Sequence, residues 1–264
     1  MRPNSRIAAF ALGCTCLTLW SGQPPAKALA SEAPLAAVAR TAALSPRHPP
    51  NVAGLRLTGT GTGFFVAPRV VLTNFHVAGH CKALTVGNNT EGEELPAALL
   101  AGDESADLAI LSADDEHAKP ARFKTALEQE TGNGLAIVGY PEHGLPVLQA
   151  ELDEVLASPD DLLSGRPFYP FGGAVRRGNS GSPVLDSSGA VLGIVRAKID
   201  TVAVYRATGD VVDHIGYAIA NSTILAFLRA NNVTVEPANE SVSLSSDQLL
   251  QRAHEFVRQA GCWN

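Results

Sequence analysis

A serine flanked by glycines marks the part of the sequence best suited to covalent chemistry. The run Gly178-Asn179-Ser180-Gly181 predicts a tight turn, and the apolar segment Pro183–Leu185 after it predicts a strand that holds the turn in place. Small neighbours let backbone N–H groups converge beside the hydroxyl, where they could stabilise the oxyanion of an acyl transfer. The same letters also fit an ordinary turn, so a nucleophilic serine needs a base and an orienting acid elsewhere.

A histidine and an aspartate upstream could supply these partners. His76 lies where an apolar strand gives way to a short helical turn, and Asp107 stands at the mouth of the apolar run Leu108–Leu111, a poor place for an unpaired carboxylate. Ser180 would attack a carbonyl carbon, while His76 would take its proton and return it to the leaving amine. Asp107 would hold the imidazole in the required tautomer. The chain order His, Asp, Ser is that of the β-barrel proteases.

Short apolar segments separated by turn residues indicate an all-β protein. The 264 residues include 24 glycines and 17 prolines, scattered among the apolar runs. A hairpin is predicted where Phe64–Val66 and Val70–Thr73 flank a proline turn. Further strands are predicted at 83–86, 97–100, 108–111, 135–138, 146–156, 191–195 and 215–219. Regular spacing of such strands is typical of barrels or a sandwich.

Three sequence runs, in this order along the chain, resemble the chymotrypsin-type serine peptidases in their bacterial form. They are V-L-T-N-F-H-V around His76, A-D-L-A-I-L around Asp107 and G-N-S-G-S-P-V around Ser180. The first two are similar to HtrA/Deg-type and glutamyl-endopeptidase-type proteases, and the third is closer to the latter. The resemblance covers roughly residues 54–228. It implies a chymotrypsin-like double β-barrel with C-terminal helices, in a peptidase domain at 52–230 with barrels at about 52–118 and 131–230.

The resemblance also implies how the serine loop would work. The N–H groups of Gly178 and Ser180 would form the oxyanion hole, with Asn179 lining the same turn. Asn179 stands where digestive members carry an aspartate that binds a newly cut N-terminus, so we expect no activation by that route. We also expect no PDZ module after Leu228, where about three dozen residues remain.

Nearby residues offer alternatives for these roles. His80 is a second histidine, but the T-N-F-H-V context favours His76, and Asp103 lies in a polar turn that needs no partner. His76 and His80 have the spacing of two zinc ligands, yet the residues between them lack the glutamate of an H-E-x-x-H site. We therefore assign the base and the acid to His76 and Asp107, and we expect neither a metal nor a cofactor.

The expected substrate pocket gives little guidance on specificity. In the resembled family its floor lies six residues before the serine, which places Ala174 there and argues against a preference for lysine or arginine. Arg196, Lys198 and Tyr217 are the other candidates for the pocket. The basic residues could favour an acidic side chain, but exposed charges on a rim are common. We therefore expect a small or apolar residue before the cleaved bond.

Both ends of the chain lie outside the predicted domain. Residues 1–30 indicate a signal peptide, with a basic start, a short apolar segment and an Ala-Leu-Ala cleavage pattern, and residues 31–51 predict a loose arm. Residues 231–264 predict a tail with an amphipathic helix, which starts with a capping box at Ser245 and follows a first helix at Ile224–Leu228. The apolar face of the second helix comprises Leu249, Leu250, Ala253, Phe256, Val257 and Ala260.

The cysteines agree with export. Once a signal peptide is removed, only Cys81 and Cys262 remain, and one pair in an exported chain suggests one disulfide, with two separate thiols as the alternative. We expect a periplasmic or secreted protein without a stable membrane anchor. The net charge of −6 argues against a nucleic-acid partner. The partner would be a protein or peptide substrate. An esterase using the same residues, or a protease-like binding protein with an idle site, stays open.

Overall fold

The computed structural model describes most of the chain beyond residue 48. The described residues are 49–88, 93–125, 134–142, 150–198, 205–207, 209, 214–238 and 242–264. The predicted signal peptide, and the predicted arm up to residue 48, lie outside them. The helices in these ranges are all too short or too polar to cross a membrane.

Strands dominate the described part of the chain. They are β1 (Leu57–Ala67), β2 (Val70–Thr73), β3 (Ala83–Asn88), β4 (Glu93–Asp103), β5 (Leu108–Ala113), β6 (Arg122–Phe123), β7 (Leu135–Gly139), β8 (Glu151–Val155), β9 (Phe168–Gly172), β10 (Pro183–Leu185), β11 (Val191–Lys198), β12 (Ile215–Ala220), β13 (Glu236–Pro237) and β14 (Val257–Trp263). The helices are α1 (Phe75–Ala78), α2 (Pro159–Leu163), α3 (Asn221–Ala230) and α4 (Ser246–Ala253). The predicted all-β fold class is confirmed.

The first barrel is a closed circle of six antiparallel strands in the order β1-β14-β3-β4-β5-β2. β1 completes the circle by pairing with β2, with Phe64 opposite Leu72. Both of these side chains are fully buried, and Ile110 of β5 joins them, so the interior is filled by side chains. The predicted β1–β2 hairpin is confirmed, and Arg69 in its turn has a φ of 64°.

The strand β14 closes this barrel, although the sequence predicted a helix there. The capping box at Ser245 is present, but α4 ends at Ala253, and Val257–Trp263 forms a strand that pairs with both β1 and β3. Without it, backbone N–H and C=O groups of two neighbouring strands would lack partners, and this ladder outweighs the helical spacing of the apolar residues. The expectation of a separate tail that ends in a helix through Ala260 is therefore wrong.

The second barrel has the strand order β9-β12-β11-β10-β7-β8. Leu156 and Gly172 close it, because each donates its N–H to the carbonyl of the other. Its interior includes the fully buried Ile137, Val184 and Ala218. The short strand β6 adds to β11 in parallel, and β13 adds to β6. The predicted double β-barrel is confirmed.

Two contacts fix β14 to its surroundings. A disulfide joins Cys81, which follows α1, to Cys262 in β14, as the sequence suggested. The buried guanidinium of Arg258 binds Asp115, with Nε and Nη2 each 2.8 Å from Oδ2. Its Nη1 donates to the carbonyl of His254 over 2.8 Å. Burial and the charge of Arg258 lower the pKa of the His254 ring below its ordinary value.

Candidate active site

His76 lies at the start of a single helical turn. β2 ends at Thr73, Asn74 is extended, and α1 begins at Phe75, so the chain turns just before the histidine. Asn74 is fully buried, and its side-chain amide donates to the carbonyl of Asp107 over 3.0 Å. This bond joins the turn that carries His76 to the turn that carries Asp107.

A tight turn between β4 and β5 carries Asp107. The Asp103 carboxylate accepts hydrogen bonds from the Ala106 N–H (3.0 Å) and the Ser105 hydroxyl (2.7 Å), which lower the pKa of Asp103 and fix the turn. Asp107 follows with a φ of 56°, a left-handed conformation that aspartate tolerates better than most residues. Asp103, the alternative carboxylate, therefore has a structural role in this turn.

The Asp107 carboxylate is directed at His76. Its Oδ1 lies 3.0 Å from both the backbone N and the ring Nδ1 of His76, and its Oδ2 lies 2.9 Å from Nδ1. Burial by itself raises the pKa of this carboxyl, but the hydrogen bonds from His76 and the charges of His76 and Arg196 outweigh it. The pKa of Asp107 therefore lies below its ordinary value. Asp107 is ionised at neutral pH and can orient the histidine ring.

Ser180 meets the other two predicted residues at one cleft. His76 and Asp107 come from the first barrel and Ser180 from the second, and all three line an open cleft of about 770 Å³. The Ser180 hydroxyl donates to the carbonyl of Arg196 over 3.3 Å. The alternative histidine, His80, also lines the cleft, but its ring packs edge-on against Phe75 at 5.4 Å between ring centres.

Two glycines give the Ser180 loop its shape. Gly178 and Gly181 have φ values of 87° and 88°, which L side chains rarely adopt. A Cβ at Gly178 would lie 2.0 Å from the Tyr140 carbonyl oxygen, and one at Gly181 would lie 1.9 Å from that of Thr62. The Thr62 N–H also donates to the Ser180 carbonyl over 2.8 Å. Both positions therefore require glycine, for conformation and for space.

The peptide between Arg177 and Gly178 has a fixed orientation. The Arg177 carbonyl accepts a hydrogen bond from the Glu142 N–H over 2.8 Å, and in a trans peptide the Gly178 N–H points the opposite way. Among the residues that the structure describes, no acceptor binds the N–H of Gly178 or of Ser180. The Asn179 N–H donates to a carbonyl within the turn over 3.2 Å, so Asn179 shapes the predicted oxyanion hole without donating to it.

Strand β1 supports this loop through two threonines. The Thr62 hydroxyl donates to the Gly178 carbonyl (2.7 Å) and accepts from the Tyr140 N–H (3.0 Å). The Thr60 hydroxyl donates to the Glu142 carboxylate over 2.6 Å. Glu142 also binds the Arg177 carbonyl, so a strand of the first barrel holds the serine loop of the second.

The four residues predicted for the substrate pocket occupy different places. Arg196 lines the cleft, whereas Tyr217 lies on the exposed face of β12, because its neighbours along the strand turn inward. Val175 takes the place in the lining that was expected for Ala174. The side chain of Lys198 lies outside those described. Besides the three predicted catalytic residues, the lining comprises Phe75, His80, Glu104, Val175, Arg176, Arg177 and Arg196.

Two features of the site were missed from the sequence. Arg196 contacts the Asp107 carboxylate, with Nε 3.3 Å from Oδ2, and no local pattern in the sequence names this partner. The support from Thr60 and Thr62 did leave a signal. In the run G-T-G-T-G the two threonines are two residues apart, and this spacing puts both hydroxyls on one side of a strand.

The sequence matches a known family model and is similar to named serine proteases. The model of the trypsin-like peptidase domain matches residues 61–194, about half of the chain. The serine protease Rv3671c of Mycobacterium tuberculosis is 34% identical over 143 residues, which are 51% of this chain and 35% of that protein. A probable periplasmic serine endoprotease, DegP-like, of Rhizobium meliloti is 33% identical over 156 residues, which are 56% of this chain and 30% of that protein. The chain thus spans about a third of the length of these relatives.

A solved structure shares the fold. The crystal structure of the Rv3671c protease in its inactive form has a TM-score of 0.52 and 24% sequence identity, and the match covers 67% of this chain and 86% of that chain. At this identity the likeness concerns the fold alone. The family match itself, residues 61–194, contains His76, Asp107 and Ser180. The chain therefore belongs to the family of trypsin-like peptidase domains.

Proposed function

We propose that the protein is an exported serine endopeptidase in which Ser180, His76 and Asp107 form the catalytic triad. The observation that carries this proposal is the contact between Asp107 and His76. A buried, ionised carboxylate binds both the backbone N–H and the ring Nδ1 of the histidine at 2.9–3.0 Å. A proton held on Nδ1 by the carboxylate leaves Nε2 as the basic nitrogen.

The proposed reaction begins when the Ser180 hydroxyl turns from the Arg196 carbonyl toward Nε2 of His76. Its oxygen attacks the carbonyl carbon of a peptide bond while His76 takes the hydroxyl proton, which gives a tetrahedral intermediate. The C–N bond then breaks as His76 returns the proton to the leaving amine, and an acyl ester remains on Ser180. Water that gives a proton to His76 hydrolyses this ester and restores the hydroxyl.

The N–H groups of Gly178 and Ser180 would stabilise the oxyanion in both halves of the reaction. The bonds from Glu142 and Thr62 hold the surrounding peptides before substrate arrives, so little reorganisation is needed. Loss of one such donor in a protease costs turnover on the order of 10²- to 10³-fold.

The substrate would be a protein or a peptide. Two relatives carry the name of serine protease or endoprotease, and the cleft is open enough to admit an extended chain. Val175 is an apolar side chain in the lining just before the Ser180 loop, in keeping with a small or apolar residue before the cleaved bond. Peptides that differ only in the residue before the cleaved bond test this preference. The expectation would be wrong if lysine at that position gave the highest kcat/KM.

Export to the periplasm or the medium is the second part of the proposal. A disulfide between Cys81 and Cys262 suits an oxidising compartment, and one relative is named as periplasmic. Cell fractionation followed by N-terminal sequencing tests this part. We expect a mature chain that starts near Ser31, outside the cytoplasm.

Labelling with a fluorophosphonate, which traps activated serines, tests the catalytic part. Ser182→Ala is the matched control, because Ser182 is two residues away and fully buried, and its hydroxyl has no hydrogen-bond partner among the described residues. We expect label on the wild type and on Ser182→Ala, but none on Ser180→Ala, whose peptide turnover should fall on the order of 10⁶-fold. A folded wild type that takes no label would contradict the proposal and favour a binding protein with an idle site.

A further inference from the structure

Arg196 occupies a β-bulge at the edge of the cleft. The register between β11 and β12 shifts between Val195 and Ala197, so Arg196 is an extra residue on its strand. Bulges re-aim side chains and are common beside active sites. Here the carbonyl of Arg196 accepts a hydrogen bond from the Ser180 hydroxyl, and the side chain of Arg196 lines the cleft.

The Arg196 side chain reaches from the second barrel to the first. Its Nε lies 3.3 Å from Oδ2 of Asp107, and its guanidinium carbon lies 4.7 Å from the centre of the Phe168 ring in β9. Stacking on an aromatic face and donating to a carboxylate use different parts of the guanidinium, so one side chain can do both. Phe168 thus supports the group that binds Asp107.

Arg196 completes a two-sided grip on the Asp107 carboxylate. Oδ1 accepts a hydrogen bond from the backbone N–H of His76, while Oδ2 accepts hydrogen bonds from Nδ1 of His76 and Nε of Arg196. With a fixed donor on each oxygen, the carboxylate cannot rotate about its Cβ–Cγ bond without losing one of them. The Asp107 side chain is only 8% exposed. The Arg196 side chain is 41% exposed, so the pair is half-buried, unlike the fully solvated ion pairs that contribute little.

We propose that Arg196 is a positioning residue, which holds Oδ2 of Asp107 and thereby keeps the carboxylate aligned with Nδ1 of His76. The inference rests on the proposed function, in which Asp107 orients the catalytic base. The Arg196 side chain acts through Asp107, whose Oδ2 it contacts. The backbone N–H of His76 still holds Oδ1 when the guanidinium is removed. Its loss should therefore slow turnover without abolishing it.

Arg196→Ala with chemical rescue tests this role. The variant loses a charged hydrogen bond, so kcat should fall about ten- to a hundredfold, while KM changes less than about threefold. Ethylguanidinium at millimolar concentration, far below denaturing levels, should restore kcat in a saturable way because it can occupy the slot between Phe168 and Asp107. Sodium chloride of equal ionic strength should not. Arg196→Lys keeps the charge without the planar fork and should recover only part of the activity.

Arg69→Ala is the matched control. It removes an Arg–Asp contact of similar length, 3.2 Å to Asp114, but on the surface, where the two side chains are 69% and 67% exposed. This variant should keep the kcat of the wild type and show no response to ethylguanidinium. A similar rise in the kcat of Arg69→Ala on addition of ethylguanidinium would mean that the cation acts on the protein generally, and it would overturn the proposal.

A readout without turnover separates this inference from the proposed function. In a Ser180→Ala background, the proton NMR resonance of His76 Nδ1–H should broaden on Arg196→Ala and sharpen again with ethylguanidinium. If the resonance responds in this way but the wild type cleaves no peptide, the proposed function would be contradicted while the Arg196 contact would still be supported. An unchanged resonance, or an unchanged kcat in a variant that melts like the wild type, would overturn the role of Arg196.

Discussion

Replacing Thr62 by valine should weaken the serine loop while leaving the shape of the core almost unchanged. Thr62 is fully buried, and its hydroxyl serves two bonds, 2.7 Å to the Gly178 carbonyl and 3.0 Å from the Tyr140 N–H. Valine fills the same space, but both backbone groups would then be buried without a partner. Each such group costs about 1–3 kcal/mol, so the free energy of unfolding should fall by about 2–6 kcal/mol.

Urea unfolding in a Ser180→Ala background, which prevents self-cleavage, measures this loss. Thr62→Ser is the matched control, because it keeps the hydroxyl and removes one buried methyl, worth about 1 kcal/mol. At about 2–4 °C per kcal/mol for a domain of this size, Thr62→Val should melt roughly 4–24 °C below its parent.

The same substitution should affect catalysis through the oxyanion hole. Thr62 fixes the carbonyl side of Gly178, whose N–H is the proposed donor, so Thr62→Val should lower kcat more than it raises KM. A peptide boronate, which mimics the tetrahedral intermediate, should bind Thr62→Val more weakly than Thr62→Ser. Equal urea midpoints and equal boronate affinities for the two variants would refute the reasoning.

Three further perturbations address β14, the disulfide and pH. Asp115→Ala should leave the Arg258 guanidinium, which is 5% exposed, buried without its counter-ion and lower the free energy of unfolding by about 3–5 kcal/mol in urea melts; an equal loss in the double variant Asp115→Leu/Arg258→Met would contradict this cause. Cys81→Ser opens the disulfide and should cost about 2–5 kcal/mol, after which thermal melts with and without reductant should coincide. Because the folded chain lowers the pKa of His254, the unfolded chain binds more protons, and stability should decline as pH falls below about 6.5. The lowered pKa of Asp107 adds a second decline below about pH 4, and thermal melts across this range check both.

Residues with a local signature were predictable from the sequence. His76 follows a strand within a short motif, Asp107 precedes an apolar run that cannot accept an unpaired carboxylate, and Ser180 lies between glycines. In the structure both glycines have positive φ and lie against a neighbouring carbonyl, so the residue types around Ser180 reflect a steric need. Short apolar strands with turn residues likewise predicted an all-β barrel or sandwich, and the resemblance to chymotrypsin-type peptidases implied the two barrels.

Features that depend on distant partners were not predictable. The apolar residues from Leu249 to Ala260 fit one face of a helix, and only the open edges of β1 and β3 select a strand for Val257–Trp263. The contact of Arg196 with Asp107 depends on a bulge, which the sequence of β11 does not reveal. The hydrogen bond from the Glu142 N–H to the Arg177 carbonyl joins residues that are far apart in the sequence, so no local pattern predicts it.

The position of β14 late in the chain determines when the first barrel can close. His76 and Asp107 lie on a barrel that stays open along β1 and β3 until Val257–Trp263 has been synthesised, and Ser180 precedes that strand in the chain. A nascent chain that already contains all three residues therefore lacks the closed scaffold that aligns them. Pairings between such distant segments also form slowly, because loop closure comes before any gain from the contacts. If the proposed function is right, proteolytic competence is therefore delayed until synthesis has passed β14.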